Sequence, residues 1–126
     1  MFMKICVVGL GYVGLPLSLQ FARCGATVLG LDIDRAKVDA LTEGRSYIKH
    51  IAPEAIRTVV DDRTFSASTD FSKVKGMDAV IICVPTPLNK NREPDISYIL
   101  DTGRAIAPHL KKGMLIDLAS PLWLCR

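Results

Sequence analysis

Hydrophobic and polar positions alternate along the chain in blocks that change period. Residues 4–8 form a short run rich in β-branched residues with no apolar–polar alternation, which predicts a strand buried on both faces of a parallel sheet. It enters Gly9-Leu-Gly-Tyr-Val-Gly14. Apolar residues then recur at Val13, Leu17, Phe21 and Cys24, stepping by four, four and three, so one face of a helix is expected to be apolar. Pro16 falls in the first turn of that helix, where no intrahelical N–H is needed, and Gly25 ends it. Residues 27–31 predict a second strand closing on Asp32. Asp34 is placed to cap a helix through Ala36, Val38 and Leu41, with Gly44 as its stop.

Residues 53–60 predict a further short helix, 65–67 a weak third strand and 70–74 a single helical turn. The clearest strand is 79–84. After a proline-rich loop, Asp95 is expected to cap a helix carrying Ile96, Ile99, Leu100, Gly103 and Ile106, and Gly113 leads into a last strand over 114–118. Strands alternating with helices predict an α/β fold of the Rossmann type, a doubly wound parallel sheet. Right-handed crossovers and a change of direction after the third strand give the order 3-2-1-4-5.

Composition narrows the function class. A chain of 126 residues is one domain, and with 49% apolar and 23% charged residues it has enough apolar surface to fold. The longest pure apolar run, 79–84, is far too short to span a bilayer, and Gly9, Gly11 and Gly14 interrupt the apolar stretch after Lys4, so a secretory signal is not expected. The 16 basic and 13 acidic residues are scattered without a basic stripe, so nucleic acid is not an expected partner. Cys6, Cys24, Cys83 and Cys125 lack a CxxC pair, and Cys6 and Cys83 fall in apolar strand patterns where a thiol acts as a small hydrophobe. A reducing cytoplasm is the simplest setting. His109, near Lys111 at a helix end, suits the helix dipole as a cation. His50 lies in a loop, and neither histidine has a metal-ligand spacing, so no metal is expected.

The glycine turn carries the candidate chemistry. It follows a buried strand and opens an amphipathic helix, and an acid closes the next strand. Gly9 permits the tight turn, Gly11 lets a pyrophosphate approach the backbone, and Gly14 allows helix and strand to pack closely. The helix N-terminus offers free N–H groups to a diphosphate. Asp32, 18 residues after Gly14, stands near the spacing of about 20 at which a carboxylate accepts hydrogen bonds from an adenosine ribose. That carboxylate would repel a 2′-phosphate, which favours NAD over NADP, although Arg35 and Lys37 are close in sequence. Pro85 and Thr86 follow the fourth strand at the expected switch point. Proline ends the strand and stiffens the loop, and the Thr86 hydroxyl is placed to meet the cofactor.

With these residues in place, the chain resembles the amino-terminal domain of the UDP-glucose/GDP-mannose dehydrogenase family. The segments that carry the likeness are Gly9-Leu-Gly-Tyr-Val-Gly-Leu-Pro16, Leu31-Asp-Ile-Asp34 with Lys37-Val-Asp39, and Val84-Pro-Thr-Pro87. Within the family it is most similar to UDP-N-acetylhexosamine 6-dehydrogenases, through residues 47–51, Pro87-Leu-Asn89 and Arg92-Glu-Pro-Asp95. By this resemblance residues 47–51 favour UDP-N-acetylglucosamine over UDP-N-acetylmannosamine as the substrate of the parent enzyme, with a UDP-N-acetylmannosamine or UDP-glucose dehydrogenase domain as the alternative. The resemblance implies a cytoplasmic, homo-oligomeric enzyme of surface-polysaccharide synthesis that oxidises a sugar C6 alcohol in two NAD-dependent hydride transfers. It also implies that Tyr12, Val13, Asp32, Lys37 and Thr86 contact the cofactor.

The family's cysteine nucleophile sits in a later Gly-x-Cys-Phe-Pro-Lys-like motif that does not occur here, so no catalytic residue is assigned and the chain alone is expected to be inactive. Residues 1–118 are read as the NAD-binding domain; measured against the family, its sheet is expected to be truncated after the fifth strand. Residues 119–126 form a tail that departs from the family's Glu-Ser-Thr continuation, and a frameshift, a truncation or a foreign tail would each account for it. Two other readings share the glycine turn: a nucleotide-sensing regulatory domain, and a different dehydrogenase class. Neither explains Val-Pro-Thr-Pro followed by Glu-Pro-Asp.

Overall fold

A computed structural model describes residues 3–84, 88, 90–93 and 95–118. Five parallel strands, β1 (Lys4–Val8), β2 (Thr27–Leu31), β3 (Phe65–Ser68), β4 (Ala79–Ile82) and β5 (Leu115–Leu118), lie in the order β3-β2-β1-β4-β5, as expected. Helices α1 (Gly14–Arg23), α2 (Arg35–Thr42), α3 (Pro53–Asp61) and α4 (Ser97–Ile106) connect them, with 3-10 turns at Phe71–Gly76 and Ala107–His109.

The unalternating strands have two cores to serve. Ile5, Val7, Val28 and Ala79 face a cluster completed by Leu15 and Leu19 of α1 and Ile56 and Val59 of α3. Cys6, Val8, Leu29, Leu31, Val80 and Ile82 face the opposite cluster, which holds Val74 and Ile106. Alternate side chains of each central strand therefore go to opposite layers.

Sequence periodicity misplaces two helix faces. In α1 the buried side is Leu15, Ser18, Leu19 and Ala22, while Val13, Leu17 and Phe21 are only partly buried and Cys24 is exposed. Ser18 is hidden because its hydroxyl donates to the Gly14 carbonyl at 2.7 Å, so a polar residue occupies a core position without an unpaired group. In α4 the buried residues are Thr102 and Ile106, whereas Ile96 and Leu100 are exposed. Asp95 does not occupy the cap position, which is Ile96, yet its carboxylate accepts from the Ser97 N–H at 3.0 Å.

Strand β4 also ends two residues before the expected Val84. The Cys83 N–H donates to Val8 at 2.7 Å, after which β1 turns away at Gly9 and the ladder has no partner to continue. Strand β5 begins at Leu115 rather than residue 114, and all four of its residues are exposed. Asp34 caps α2 as expected, its carboxylate accepting from the Ala36 N–H at 3.0 Å.

Candidate functional site: a dinucleotide cradle

The sheet changes winding direction between β1 and β4, and the crevice forms at the carboxyl ends of these strands. The Gly9 N–H donates to the Leu31 carbonyl at 2.7 Å, which ties the start of the turn to the end of β2. Gly9 has φ of 96°, and a Cβ on it would stand 2.7 Å from the Cys83 carbonyl oxygen, so both backbone conformation and space require glycine. At Gly14 a Cβ would come within 1.7 Å of the Gly9 carbonyl oxygen. The close approach expected for that position is thus to the turn itself. At Gly11 the same space is open among the described residues, with none of their heavy atoms within 4 Å.

Helix α1 starts behind this turn with Val13 at its cap, and among the described residues no side chain makes a cap hydrogen bond there. An anion meeting this end would find backbone donors and the positive end of the helix dipole. The Asp32 carboxylate is held from two sides: Oδ2 accepts from the Leu10 N–H and Oδ1 from the Asp34 N–H, each at 2.9 Å. Each oxygen keeps a further lone pair for a ligand hydroxyl.

These elements enclose a cavity of about 700 Å³. Gly9, Gly11, Tyr12, Val13, Asp32 and Lys37 all line it, while Gly14 lies behind the turn in a packing role. The remaining two expected site residues, Pro85 and Thr86, lie outside the described residues. Local sequence pattern carries no signal for the rest of the lining, which is formed by Phe71 of a 3-10 turn and by Tyr98, Asp101, Thr102 and Ala105 of α4. Those four α4 positions share one side of the helix by their spacing. Of the thiols, Cys83 lines the cavity. Burial, and then the Asp117 carboxylate, push it up to about 11, and burial pushes Cys6 up to about 12.

The open Gly11 position, the uncapped helix start and the braced carboxylate fit the pyrophosphate and ribose of a dinucleotide. A parallel sheet of this order with that turn at its switch point defines a dinucleotide-binding domain. Residues 3–122 match the NAD-binding domain of the UDP-glucose/GDP-mannose dehydrogenase family, and the chain belongs to that family. Its cofactor is NAD.

The relatives are nucleotide-sugar dehydrogenases. The chain is 41% identical over 122 residues to an NDP-N-acetyl-D-galactosaminuronic acid dehydrogenase of Ralstonia nicotianae, covering 94% of this chain and 28% of the relative. It is 40% identical, with the same coverage, to a UDP-N-acetyl-D-mannosamine dehydrogenase of Escherichia coli. Among solved structures, the UDP-N-acetyl-mannosamine dehydrogenase of S. aureus superposes with a TM-score of 0.86 at 39% identity, over 93% of this chain and 29% of that one. GDP-mannose dehydrogenase from Pseudomonas aeruginosa gives 0.89 at 30% identity, over 94% and 28%. The chain therefore spans between a quarter and a third of the length of these relatives. Among the described residues, no helix is long and apolar enough to cross a membrane.

Proposed function

We propose that this chain is the cofactor-holding domain of a UDP-N-acetylhexosamine 6-dehydrogenase, with Asp32 as the ribose ligand and NAD preferred to NADP. The observation that carries the reading is the Asp32 carboxylate, fixed at the end of β2 by two backbone donors and facing the cavity beside the open Gly11 position. Bound NAD supplies a hydride acceptor. The chain's own part is to hold the adenosine ribose at Asp32, to receive the diphosphate at the turn and α1 start, and to keep Lys37 near that charge. Phe71, Tyr98 and Ala105 supply an apolar wall that excludes water on the far side.

The N-acetylated sugar is supported by residues 47–51 and 92–95 and by the activities in the relatives' names. Residues 47–51 favour UDP-N-acetylglucosamine, whereas the E. coli and S. aureus relatives favour UDP-N-acetylmannosamine. The enzyme is proposed to be cytoplasmic and homo-oligomeric and to serve polysaccharide synthesis. Alone, the 126-residue chain is proposed to bind NAD without oxidising a sugar, because the family's Gly-x-Cys-Phe-Pro-Lys-like motif does not occur in it and no group for holding the UDP-sugar is assigned to it.

Titration calorimetry with NAD and NADP tests the first claim, and NADH absorbance with each of the three UDP-sugars at high protein concentration tests the last. Tighter NADP binding would overturn the cofactor reading. Steady, protein-dependent NADH formation would overturn the claim of inactivity. The same assay on a full-length relative carrying this domain in place of its own identifies the sugar, and a clear preference for UDP-glucose would overturn the N-acetylhexosamine assignment.

A further inference from the structure

A second groove, about 510 Å³, opens beside the cofactor cavity and shares Gly11, Tyr12, Asp34 and Lys37 with it. Tyr47, in the loop after α2, forms part of its wall and makes three connections. Its half-buried ring packs against the core cluster that contains Leu10 and Leu15. Its hydroxyl donates to the main-chain carbonyl of Leu10, inside the glycine-rich turn. The Lys37 ammonium lies over its ring, 5.8 Å from the centroid, within the range of a cation–π attraction.

We propose that Tyr47 is a positioning residue for the cofactor, setting both the direction of the Gly11 N–H and the place of the Lys37 ammonium. The inference rests on the reading of the cavity as the NAD site. The Leu10 carbonyl and the Gly11 N–H belong to one rigid trans peptide unit and point to opposite sides of it. A donor that grips the carbonyl therefore fixes where the N–H points, and it polarises that N–H toward an anion. The preceding peptide is already held, since the Leu10 N–H donates to Asp32. Tyr47 thus secures the second of two successive peptide planes, just where glycine would otherwise leave the backbone freest. Lys37 carries its charge on a flexible stem with several rotamers, so a ring beneath the ammonium reduces the entropy lost when an anion arrives. Burial, followed by the Asp32 and Asp34 carboxylates, pushes the phenol upward, so the hydroxyl remains a donor over the working pH range.

The test measures NAD affinity of the 126-residue chain by calorimetry for wild type, Tyr47→Phe, Tyr47→Leu, Lys37→Met and the Tyr47→Leu/Lys37→Met double variant. Tyr47→Phe keeps the ring and removes one hydrogen bond. It is expected to weaken NAD about three- to tenfold while moving the Gly11 amide resonance and leaving the melting temperature within a few degrees. Lys37→Met is expected to cost at least about twofold less in the Tyr47→Leu background than in wild type. A tyrosine that merely supports the fold would lower the melting temperature without changing what Lys37 is worth. Undiminished NAD binding by Tyr47→Phe, or an equal cost of Lys37→Met in both backgrounds, overturns the inference while leaving the NAD site standing. A folded wild type that does not bind NAD removes the site and the inference together.

Discussion

Asp32 accepts a hydrogen bond through Oδ2 from the backbone N–H of Leu10, 2.9 Å away and 22 residues earlier in the chain. The bond joins the end of β2 to the glycine-rich turn after β1, so the residue proposed to bind ribose also braces the loop proposed to bind phosphate. Its other oxygen accepts from the Asp34 N–H, at the residue that caps α2. One carboxylate thereby sets the relative position of three segments before any ligand arrives.

Asp32→Ala should therefore fail in two separable ways. Loss of hydrogen bonds between a charged acceptor and ribose should weaken NAD about ten- to a hundredfold. Loss of the brace should lower stability by about 1–3 kcal/mol, because the Leu10 N–H is left without its partner. The NADP disadvantage should shrink, since the charge opposed to a 2′-phosphate is gone. It should not reverse, because Arg35 is engaged by the Thr69 hydroxyl, to which it donates at 3.2 Å, and Lys37 is proposed to serve the diphosphate that both cofactors share. Calorimetry with both cofactors and a thermal melt check this; unchanged NAD affinity would remove Asp32 from the ribose site.

The β5 edge is the second place where the structure makes a definite demand. Leu115, Ile116 and Leu118 are 64%, 45% and 38% exposed, and among the described residues β5 is paired only with β4. An exposed apolar edge strand is a template for another chain. The 126-residue chain should self-associate as its concentration rises, and Ile116→Lys should shift it toward monomer. Light scattering after size-exclusion chromatography is the measurement. A wild type that stays monomeric at about 100 μM would show the edge to be protected.

The contrast between these two regions explains what sequence reading could reach. Turn, capping and strand-end chemistry is local, so Gly9, Gly11, Gly14, Asp32 and Asp34 declare themselves through neighbours a few residues away. The far wall of the cavity is assembled by long-range packing: Tyr98 and Thr102 of α4 line the same cavity as the glycine turn although nearly ninety residues separate them in the chain. The same limit applies to Tyr47, whose bond to Leu10 spans 37 residues. The α1 face escapes sequence periodicity for a different reason. Periodicity counts Ser18 as polar, while in the fold its hydroxyl is satisfied within its own helix and its position is core.

Buried thiols make a pH-dependent prediction. The Cys6 thiol has an ordinary value of 9.0 and is pushed up to about 12 by burial, and Cys83 rises from 9.0 to about 11. In the unfolded chain both ionise near 9, while the folded chain keeps both protons. Above pH 9 the unfolded state therefore binds fewer protons, and stability falls as pH rises from about 9 to about 12, having been level with respect to these groups below 9. Cys6→Ala should be less stable near neutrality, because it loses packing, yet show a shallower alkaline decline. In a Cys125→Ser background at pH 8, the exposed Cys24 should react with a disulfide reagent while Cys6 and Cys83 react only on unfolding. Rapid modification of Cys83 in the folded chain would contradict its neutral, buried state.

Two neighbouring glycines should respond in opposite ways to the same methyl group. In Gly14→Ala the Cβ would fall 1.7 Å from the Gly9 carbonyl oxygen, which is backbone and itself held within the turn. Relief requires α1 to move away from β1, so stability should drop by about 3 kcal/mol or more, on the order of 10 °C in melting temperature. In Gly11→Ala the methyl meets no heavy atom of the described residues within 4 Å, and stability should change by less than about 1 kcal/mol. The space it enters is the one proposed for the pyrophosphate, so NAD affinity should fall by about tenfold or more while the fold stays intact. A melt and a titration on each variant separate the cases. If Gly11→Ala binds NAD like wild type, the diphosphate does not lie against Gly11, and the orientation proposed for its N–H loses its purpose. If Gly14→Ala melts like wild type, the approach of α1 to the turn is looser than the 1.7 Å contact requires.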